Sequence, residues 1–528
     1  MPAMTIDGRP LHVELGTTIL EAARTIGIEI PTLCFLEDLE PGTHCMVCVV
    51  KVAGLSGLVP ACGTMVREGM QVESGSEEVR DARRTALELL LSDHVGDCIA
   101  PCQLACPAHM NIPRMIRHIV AGDLSRAIEV VKQDIALPAV LGRICPAPCE
   151  KACTRGKVDK PVAICLLKRF AADTDLAAVT HYRPQSCKSG DQRVAIVGAG
   201  PAGLAAAYYL QDHGFVCTIF DDRDRPGGML RYGVPREELP QEVLDHEIAL
   251  VAGMGVLFRP GIKVGRDLSL EQLRCDYNAV FVAIGASAIE QAQALGLAAG
   301  PEGHPKGHPK GLVVDAGTYQ TNIQGVFAGG DAVRGRRLAV RSVADGKEAA
   351  LCIRQFLAGG PVKGPERPFN TRMGALTGQE LEMLLSLAGH HSRVEPTCAD
   401  RSFTPDQAGQ ESQRCLHCDC RKADACKLRQ YSRAYDARPT RFKGHRRPLE
   451  LNAGHPEIVY ESGKCIDCGL CVRIAELGKE RLGLAFVGRG FDVRVAVPFD
   501  AALGAGLTQT ARQCAEACPT GALAFKDP

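Results

Sequence analysis

Cysteine constrains this chain more than any other residue: there are 25, and they fall in tight groups, several ending in Cys-Pro, rather than as separated pairs. Thiols grouped in that way predict metal cores in a reducing compartment, iron-sulfur clusters foremost, and argue against a disulfide framework. The length, 528 residues, predicts about three to four domains. Lys plus Arg and Asp plus Glu number 61 each, so no net charge draws the chain to nucleic acid or to an anionic membrane. No apolar run reaches about 18 residues, and the N-terminus lacks a basic stretch followed by an apolar one. The expectation is a cytoplasmic chain with no membrane insertion and no nucleic-acid partner.

A second constraint lies in residues 194–203, Val-Ala-Ile-Val-Gly-Ala-Gly-Pro-Ala-Gly. The apolar run reads as a strand, Gly198 as a tight turn, Gly200 as the point where backbone meets a pyrophosphate, and Gly203 as the close contact between strand and helix. The helix N-terminus then faces the phosphates. The next apolar run, Phe215–Phe220, stops at Asp221, placed to accept from a ribose hydroxyl.

Residues 1–78 read as a small module: a hairpin about Asp7-Gly8, a short helix over Thr18–Thr25, then Cys34, Cys45, Cys48 and Cys62 in Gly- and Pro-containing loops. It resembles the 2Fe-2S ferredoxin module at the start of the large iron-sulfur subunit of respiratory complex I and of related hydrogenases. The resemblance implies a β-grasp fold with one 2Fe-2S cluster on those four thiolates. Zinc is the alternative, although zinc sites usually show two paired C-x2-4-C arms.

In residues 79–185, the spacing of Val79, Ala82, Ala86 and Leu89 predicts a helix over 77–92. Beyond it stand His94, Cys98, Cys102, Cys106-Pro, Cys145-Pro, Cys149, Cys153 and Cys165. With Asn111-Ile-Pro113, Gly142-Arg-Ile-Cys145 and Pro148-Cys-Glu-Lys-Ala-Cys153, they resemble the helical two-cluster domain of the glutamate synthase small subunit and of dihydropyrimidine dehydrogenase. The resemblance implies two 4Fe-4S clusters with interleaved ligands. One family cysteine is missing, and His94, one four-residue step before Cys98, fills the gap, giving His94, Cys98, Cys102 and Cys153 for one cluster. The other takes Cys106, Cys145, Cys149 and Cys165. Cys165 stands in for the family's glutamine or glutamate, whose position holds Lys168, an ammonium that cannot bind iron. A helix-capping histidine is the other reading of His94.

In residues 186–362, Arg225-Pro-Gly-Gly228-Met-Leu-Arg231, Ala283-Ile-Gly285 and Gly325-Val-Phe-Ala-Gly-Gly330-Asp331 resemble the flavin domain of the same glutamate synthase family. FAD is then expected on Gly198, Gly200, Gly203, Asp221, Gly228, Arg231, Gly285, Gly330 and Asp331, with Ala344-Asp-Gly346 opening the closing helix. Between Gly285 and Gly325 stand 39 residues (286 to 324) with no second G-x-G-x-x-G, and Leu312–Asp315 reads as the strand that re-enters the flavin fold, so the family's nicotinamide unit is expected to be absent. Cys217, Cys275 and Cys352 read as buried hydrophobes, and the His-Pro-Lys-Gly repeat of 303–311 as a solvated loop.

Residues 363–445 read as a linker and a cysteine-rich loop, with Cys415, Cys418, Cys420 and Cys426 predicted to hold a 4Fe-4S cluster or a tetrahedral zinc. Cys187 and Cys398 read as free, and the basic stretch Arg438–Arg447 as a solvated face or docking edge. Residues 446–528 resemble a two-cluster ferredoxin with one site lost: Cys465, Cys468, Cys471 and Cys518 remain as a set, and Cys514 is an orphan.

The whole reads as a multidomain α+β and α/β chain: a β-grasp ferredoxin, a helical two-cluster domain, a Rossmann-like FAD domain, a cysteine-rich loop and a ferredoxin-like domain. With FAD, one 2Fe-2S and about four 4Fe-4S clusters, it is expected to be the electron-transfer subunit of an oxidoreductase, working with partner subunits or a soluble carrier. Two rivals are a self-contained NAD(P)H-dependent oxidoreductase of the glutamate synthase small-subunit type and a zinc-stabilised assembly scaffold.

Overall fold

A computed structural model describes residues 1–184, 190–300, 311–335, 338–397, 402–442 and 444–526. The chain divides into two compact units, the first taking both ends of the sequence: Met1–Ala100, Pro368–Leu387 and His417–Pro528. The second is Pro101–Arg367 with Ala388–Leu416. Cys187, Cys398 and all of the His-Pro-Lys-Gly repeat but its last glycine lie outside the described residues.

The first unit opens with β1 (Ala3–Ile6) and β2 (Arg9–His12), joined at Asp7 and Gly8, both at positive φ (47° and 76°). Such a turn matches the right-handed twist of paired strands. The helix Ile19–Thr25 follows, its start fixed by a reciprocal cap between Thr18 and Glu21. With β3 (Val49–Val52), β4 (Leu58–Pro60) and β5 (Met70–Glu73) the sheet runs β2-β1-β5-β3-β4, parallel only between β1 and β5. This is the β-grasp arrangement. The helix Glu77–Ser92 spans the residues its periodicity predicts. Its Leu87 and Leu91 share a core with Leu33, Cys34, Cys45, Cys426 and Leu428, so the two ends of the chain pack as one body within this unit. Near the C-terminus, Ile458–Tyr460 pairs with Leu523–Phe525, and the helices Leu470–Leu477 and Ala511–Ala517 cover that pair.

The basic stretch Arg438–Arg447 is paired rather than free. Arg441 meets the buried Glu88 at 2.7 Å, Arg446 meets Glu380 at 2.6 Å and Arg447 meets Asp93 at 2.5 Å. Buried carboxylates need such partners, and sequence alone does not show where the acids stand.

The second unit begins with helices and then forms a parallel sheet from β6 (Arg193–Val197), β7 (Val216–Phe220), β8 (Leu257–Arg259), β9 (Ala279–Val282) and β10 (Val326–Ala328), in the order β10-β9-β6-β7-β8. The strands proceed one way from β6 to β8, then resume on its other side with β9. That reversal leaves a crevice at the C-terminal ends of β6 and β9.

Three local readings are corrected. The closing helix begins at Ala339, not at Ala344, because Asp345 is a buried side chain held by Arg334, Arg341 and Tyr319 rather than a cap. Leu312–Asp315 is not a strand: beside β10 the antiparallel bridge is made by Gln320 with Phe327, and Leu312 bonds to the Ala332 carbonyl instead. Cys275 is exposed, because its short helix Leu270–Asp276 buries only Leu270 and Leu273; Cys217 and Cys352 are buried.

Gly346 lets the closing helix, Ala339–Leu357, press on Pro201–Asp212: a Cβ there would lie 2.3 Å from the Ala202 carbonyl oxygen. Gly346→Ala should therefore cost about 1–3 kcal/mol. Gly409→Ala should gain up to about 1 kcal/mol, because an added Cβ there meets nothing within 4 Å. Thermal unfolding followed by circular dichroism checks both, and equal midpoints for the two variants would contradict this packing.

Candidate cofactor and cluster sites

The glycine loop after β6 sits at the crevice. Gly198, at φ 108°, has room for no side chain, since a Cβ would be 2.4 Å from the Ala283 carbonyl oxygen at the end of β9. At Gly203 a Cβ would be 1.9 Å from the Gly198 carbonyl oxygen, so the helix Pro201–Asp212 seats directly on the turn. Gly200 faces open space, the one glycine of the three whose Cβ would meet nothing within 4 Å. These are the properties of a phosphate cradle: a fixed turn, an unobstructed backbone and a helix N-terminus. Gly228, at φ 52°, packs against Gly200, and Gly330, at φ 68°, packs against Ala202, so both later glycine turns close on the same loop. Gly285, at φ 70°, follows β9 on that rim.

Asp221 ends β7 and accepts from the Ala199 N–H at 2.5 Å and the Arg223 N–H at 2.9 Å. Burial holds its carboxyl above the usual range, against the pull of those bonds. Arg231 is turned into the protein: it donates to the Pro226 carbonyl at 2.7 Å, to Gln241 at 2.8 Å and to Asp245, bracing the Gly227-Gly228 turn. Asp331 opens the short helix Asp331–Arg334 directly after Gly330.

In the first unit, Cys34 and Cys45 stand 3.4 Å apart, as do Cys48 and Cys62. All four are buried. Hydrogen bonding to Cys45 and then Cys62 pulls Cys34 down to about 2, and the bond to Cys62 holds Cys48 at about 7. Two pairs of thiols fit a two-iron core, which takes two cysteines on each iron. Cys465, Cys468, Cys471 and Cys518 line one small cavity together with Tyr460, Leu470 and Pro519. Cys514 does not line it: its thiol points to the Cys471 carbonyl, 3.7 Å away.

The turn after Glu77–Ser92 is laced to two distant segments of the same unit. The Ile99 N–H donates to Asn370 at 3.0 Å, the Met373 N–H to Asp97 at 2.7 Å, and Thr371 donates to the Gly96 carbonyl at 2.6 Å while lying 3.3 Å from the Cys98 thiol. The Cys420 N–H reaches the Cys98 carbonyl at 3.4 Å. Burial pushes Cys426 up to about 12, with Cys420, Cys98 and Cys518 adding to it. Beside them His94 is half-buried, with its Nδ1 shut off from solvent. Its Nδ1 has no hydrogen-bond partner, and burial, then Lys464, lowers it to about 3, so the ring is neutral and able to donate a lone pair. Cys98 thus has Cys420 and Cys426 as neighbours in its own unit, whereas Cys102 and Cys153 belong to the second.

In the second unit, Cys106, Cys145, Cys149 and Cys165 surround the buried Lys168. The influence of the Cys165 side chain lowers Cys145 to about 6, while burial raises Cys149 to about 12. Cys102, Cys153 and Cys415 pack on the same core. Cys415 is held there by Arg414, fully buried, which pairs with Glu411 at 2.8 Å and Asp159 at 3.0 Å. Cys418 lies two residues past that unit's last segment. Among the described residues no three His, Cys, Asp or Glu side chains are placed to hold a single metal ion.

Sequence reasoning missed several residues that set these sites. Glu247 is fully buried and accepts from the Ala139 and Val140 N–H groups at 2.9 Å each, capping the helix Pro138–Ile144 that delivers Cys145; burial raises it to about 7. Asp345 accepts from the Gly330 N–H at 3.1 Å and fixes that turn. Lys422 donates to the carbonyls of Ala515, Glu516 and Cys518 at 2.5–2.9 Å, holding the end of the helix that precedes Cys518. None carries a local sequence signal, because each acts on a segment far away in the chain.

Residues 3–77 match the family described as the 2Fe-2S iron-sulfur cluster binding domain, 82–179 that of dihydropyrimidine dehydrogenase domain II, 4Fe-4S cluster, and 196–259 the NAD(P)-binding Rossmann-like domain. The chain is 40% identical over 226 residues to the NADP(+)-dependent formate dehydrogenase subunit beta of Moorella thermoacetica, covering 39% of this chain and 32% of that one. It is 43% identical over 191 residues to the NAD-dependent dihydropyrimidine dehydrogenase subunit PreT of Salmonella typhimurium (36% and 46%). To the NADPH-Fe(3+) oxidoreductase subunit beta of Geobacter sulfurreducens it is 41% identical over 191 residues (35% and 28%). The chain thus spans less than half the length of each of these relatives. The resemblance to glutamate synthase small-subunit-like iron-sulfur flavoproteins holds for these domains, and no described helix is long and apolar enough to cross a membrane.

Because Cys518 lines the cavity with Cys465, Cys468 and Cys471 and Cys514 does not, Cys518→Ser should remove one cluster's iron, about four atoms. Cys514→Ser should remove none. Iron analysis of the anaerobically purified variants checks this; equal losses would contradict the ligand set.

Proposed function

We propose that this chain is an FAD and iron-sulfur electron-transfer subunit of an oxidoreductase, relaying electrons between FAD and a partner dehydrogenase, reductase or soluble carrier. The observation that carries the reading is one dinucleotide cradle, at the β6/β9 crevice, in a chain with 20 cysteine and histidine side chains available as cluster ligands (four sets in addition to Cys34, Cys45, Cys48 and Cys62). Bound FAD would accept two electrons together and release them singly, matching a two-electron donor to one-electron clusters.

The chain's own residues supply position and exclusion of water. Gly200 leaves the backbone open to a pyrophosphate, Asp221 at the end of β7 would accept from a ribose hydroxyl, and the Gly330-Asp331 turn, held by Asp345, would close the site. FAD is favoured over a nicotinamide as the resident dinucleotide because that later Gly-Asp turn packs on the same loop, through Gly330 and Ala202. Among the described residues no second parallel sheet stands between β9 and β10.

The cluster ligands are best grouped by neighbourhood within each unit. Cys34, Cys45, Cys48 and Cys62 would hold a 2Fe-2S core, and Cys465, Cys468, Cys471 and Cys518 a 4Fe-4S core. His94, Cys98, Cys420 and Cys426 form a third set, supported by the Cys420–Cys98 backbone bond and the orphaned His94 nitrogen. Cys106, Cys145, Cys149 and Cys165 form a fourth around Lys168. Cys102, Cys153 and Cys415 remain together on the second unit's core, and Cys418 keeps its expectation as a cluster ligand from sequence alone. This moves Cys420 and Cys426 to the His94 set and keeps every ligand as a candidate.

A second reading, direct oxidation of NADH or NADPH by this chain, is favoured by the NAD and NADP in the relatives' names. Stopped-flow mixing of the oxidised chain with each nicotinamide separates the two. The electron-transfer reading expects bound FAD, about 18 irons per chain and no rapid flavin bleaching. Rapid bleaching would establish the second reading. About 14 irons with one zinc would move one set to zinc.

A further inference from the structure

Helix Ile164–Ala177 carries Cys165 and Lys168 three residues apart, hence on one face. Both side chains meet the end of the helix Pro138–Ile144: the Lys168 Nζ donates to the Leu141 carbonyl at 3.1 Å, and the Cys165 Sγ lies 3.5 Å from that same oxygen and 3.6 Å from the Gly142 carbonyl. A thiol can donate to those carbonyls. A thiolate at the same place faces the negative end of a helix and is disfavoured, unless a cation stands beside it.

Lys168 is only 4% exposed, and among the described residues no carboxylate stands within ion-pair distance of it. Glu150, which accepts from the Cys165 N–H at 2.9 Å, is itself paired with Arg393 at 2.9 Å. The buried lysine of the first unit differs, since Lys464 has Glu461 at 2.6 Å. An unpaired buried ammonium is strongly disfavoured. The opposing charge available to Lys168 is that of Cys106, Cys145, Cys149 and Cys165, which surround it.

Resting on the ligand set proposed above, we infer that Lys168 is the built-in counter-ion of the metal core held by Cys106, Cys145, Cys149 and Cys165, and that its fixed charge raises that cluster's reduction potential. Reduction adds one electron and no atom, so the core gains one negative charge. A cation held nearby in a poorly polarisable interior favours the reduced form over the oxidised one. Lys168 is a positioning residue here: it shares the Leu141 carbonyl with Cys165 and accepts no electrons.

The test is a dithionite potentiometric titration of the full holo-chain, read by low-temperature EPR, with the relevant signal identified by its loss in Cys145→Ala. Lys168→Met, with iron content retained, should make that cluster harder to reduce by about tenfold, or about 59 mV, while Lys168→Arg leaves it near wild type. Loss of the cluster in the Met variant with retention in the Arg variant would also support the need for the cation. An unmoved potential in a fully loaded Lys168→Met chain would overturn the inference and leave the ligand set standing. Loss in both variants would reduce Lys168 to a packing role. If Cys145→Ala removes neither iron nor a signal, the ligand set itself fails, and the inference with it.

Discussion

The turn from His94 to Ala100 is the constraint on which the first unit depends, because three separated stretches of sequence meet on it. Asn370, Thr371 and Met373 bind its backbone and side chains, Cys420 bonds to the Cys98 carbonyl, and the Val95 N–H donates to the Gly463 carbonyl at 2.7 Å. Each of these bonds taken alone is worth only about 0.5–1.5 kcal/mol. Together they fix a buried thiol and an imidazole whose Nδ1 is buried without a hydrogen-bond partner within a few residues of each other. A cluster spanning those segments would stabilise the whole arrangement in turn, since metal bound only by the folded state adds its binding energy to folding.

Concentrating so many cysteines in clusters, as proposed, would gather thiolate charge in poorly solvated positions, where both units place lysines. Lys422 is enclosed by three carbonyls at the end of a helix, Lys464 is neutralised in part by Glu461, and Lys168 has the cysteines alone. Arginine is used differently. Arg414, Arg155, Arg446 and Arg231 form hydrogen-bonded pairs with carboxylates or carbonyls that pin loops, as suits a planar fork of donors.

Much of this was legible in the sequence because it is local. The Asp7-Gly8 turn, the helix Glu77–Ser92, the glycine loop with Asp221 after the next strand, and the grouping of the four thiols of the N-terminal module each depend on residues close together in the chain. What spacing did not reveal is long-range. Cys-x2-Cys spacing groups Cys415 with Cys418, Cys420 and Cys426, yet the chain passes between units at residues 416 and 417, and Cys420 and Cys426 lie with Cys98. Arg438–Arg447 looked solvated because Glu88, Asp93 and Glu380, which pair with it, come from distant segments. Glu247 and Asp345 carry no local mark of their roles, although each is buried to hold a helix end or a turn.

The central claim is that a metal core joins the His94–Cys98 turn to Cys420 and Cys426. Electron spin-echo envelope modulation on the reduced chain, prepared with 15N-labelled histidine, addresses it most directly. The account predicts one cluster with a strongly coupled imidazole nitrogen, a coupling that disappears in His94→Ala and whose cluster is lost in both Cys98→Ser and Cys420→Ser. A nitrogen-coupled cluster that survives Cys420→Ser, or no histidine coupling in any cluster of the fully loaded chain, would contradict it.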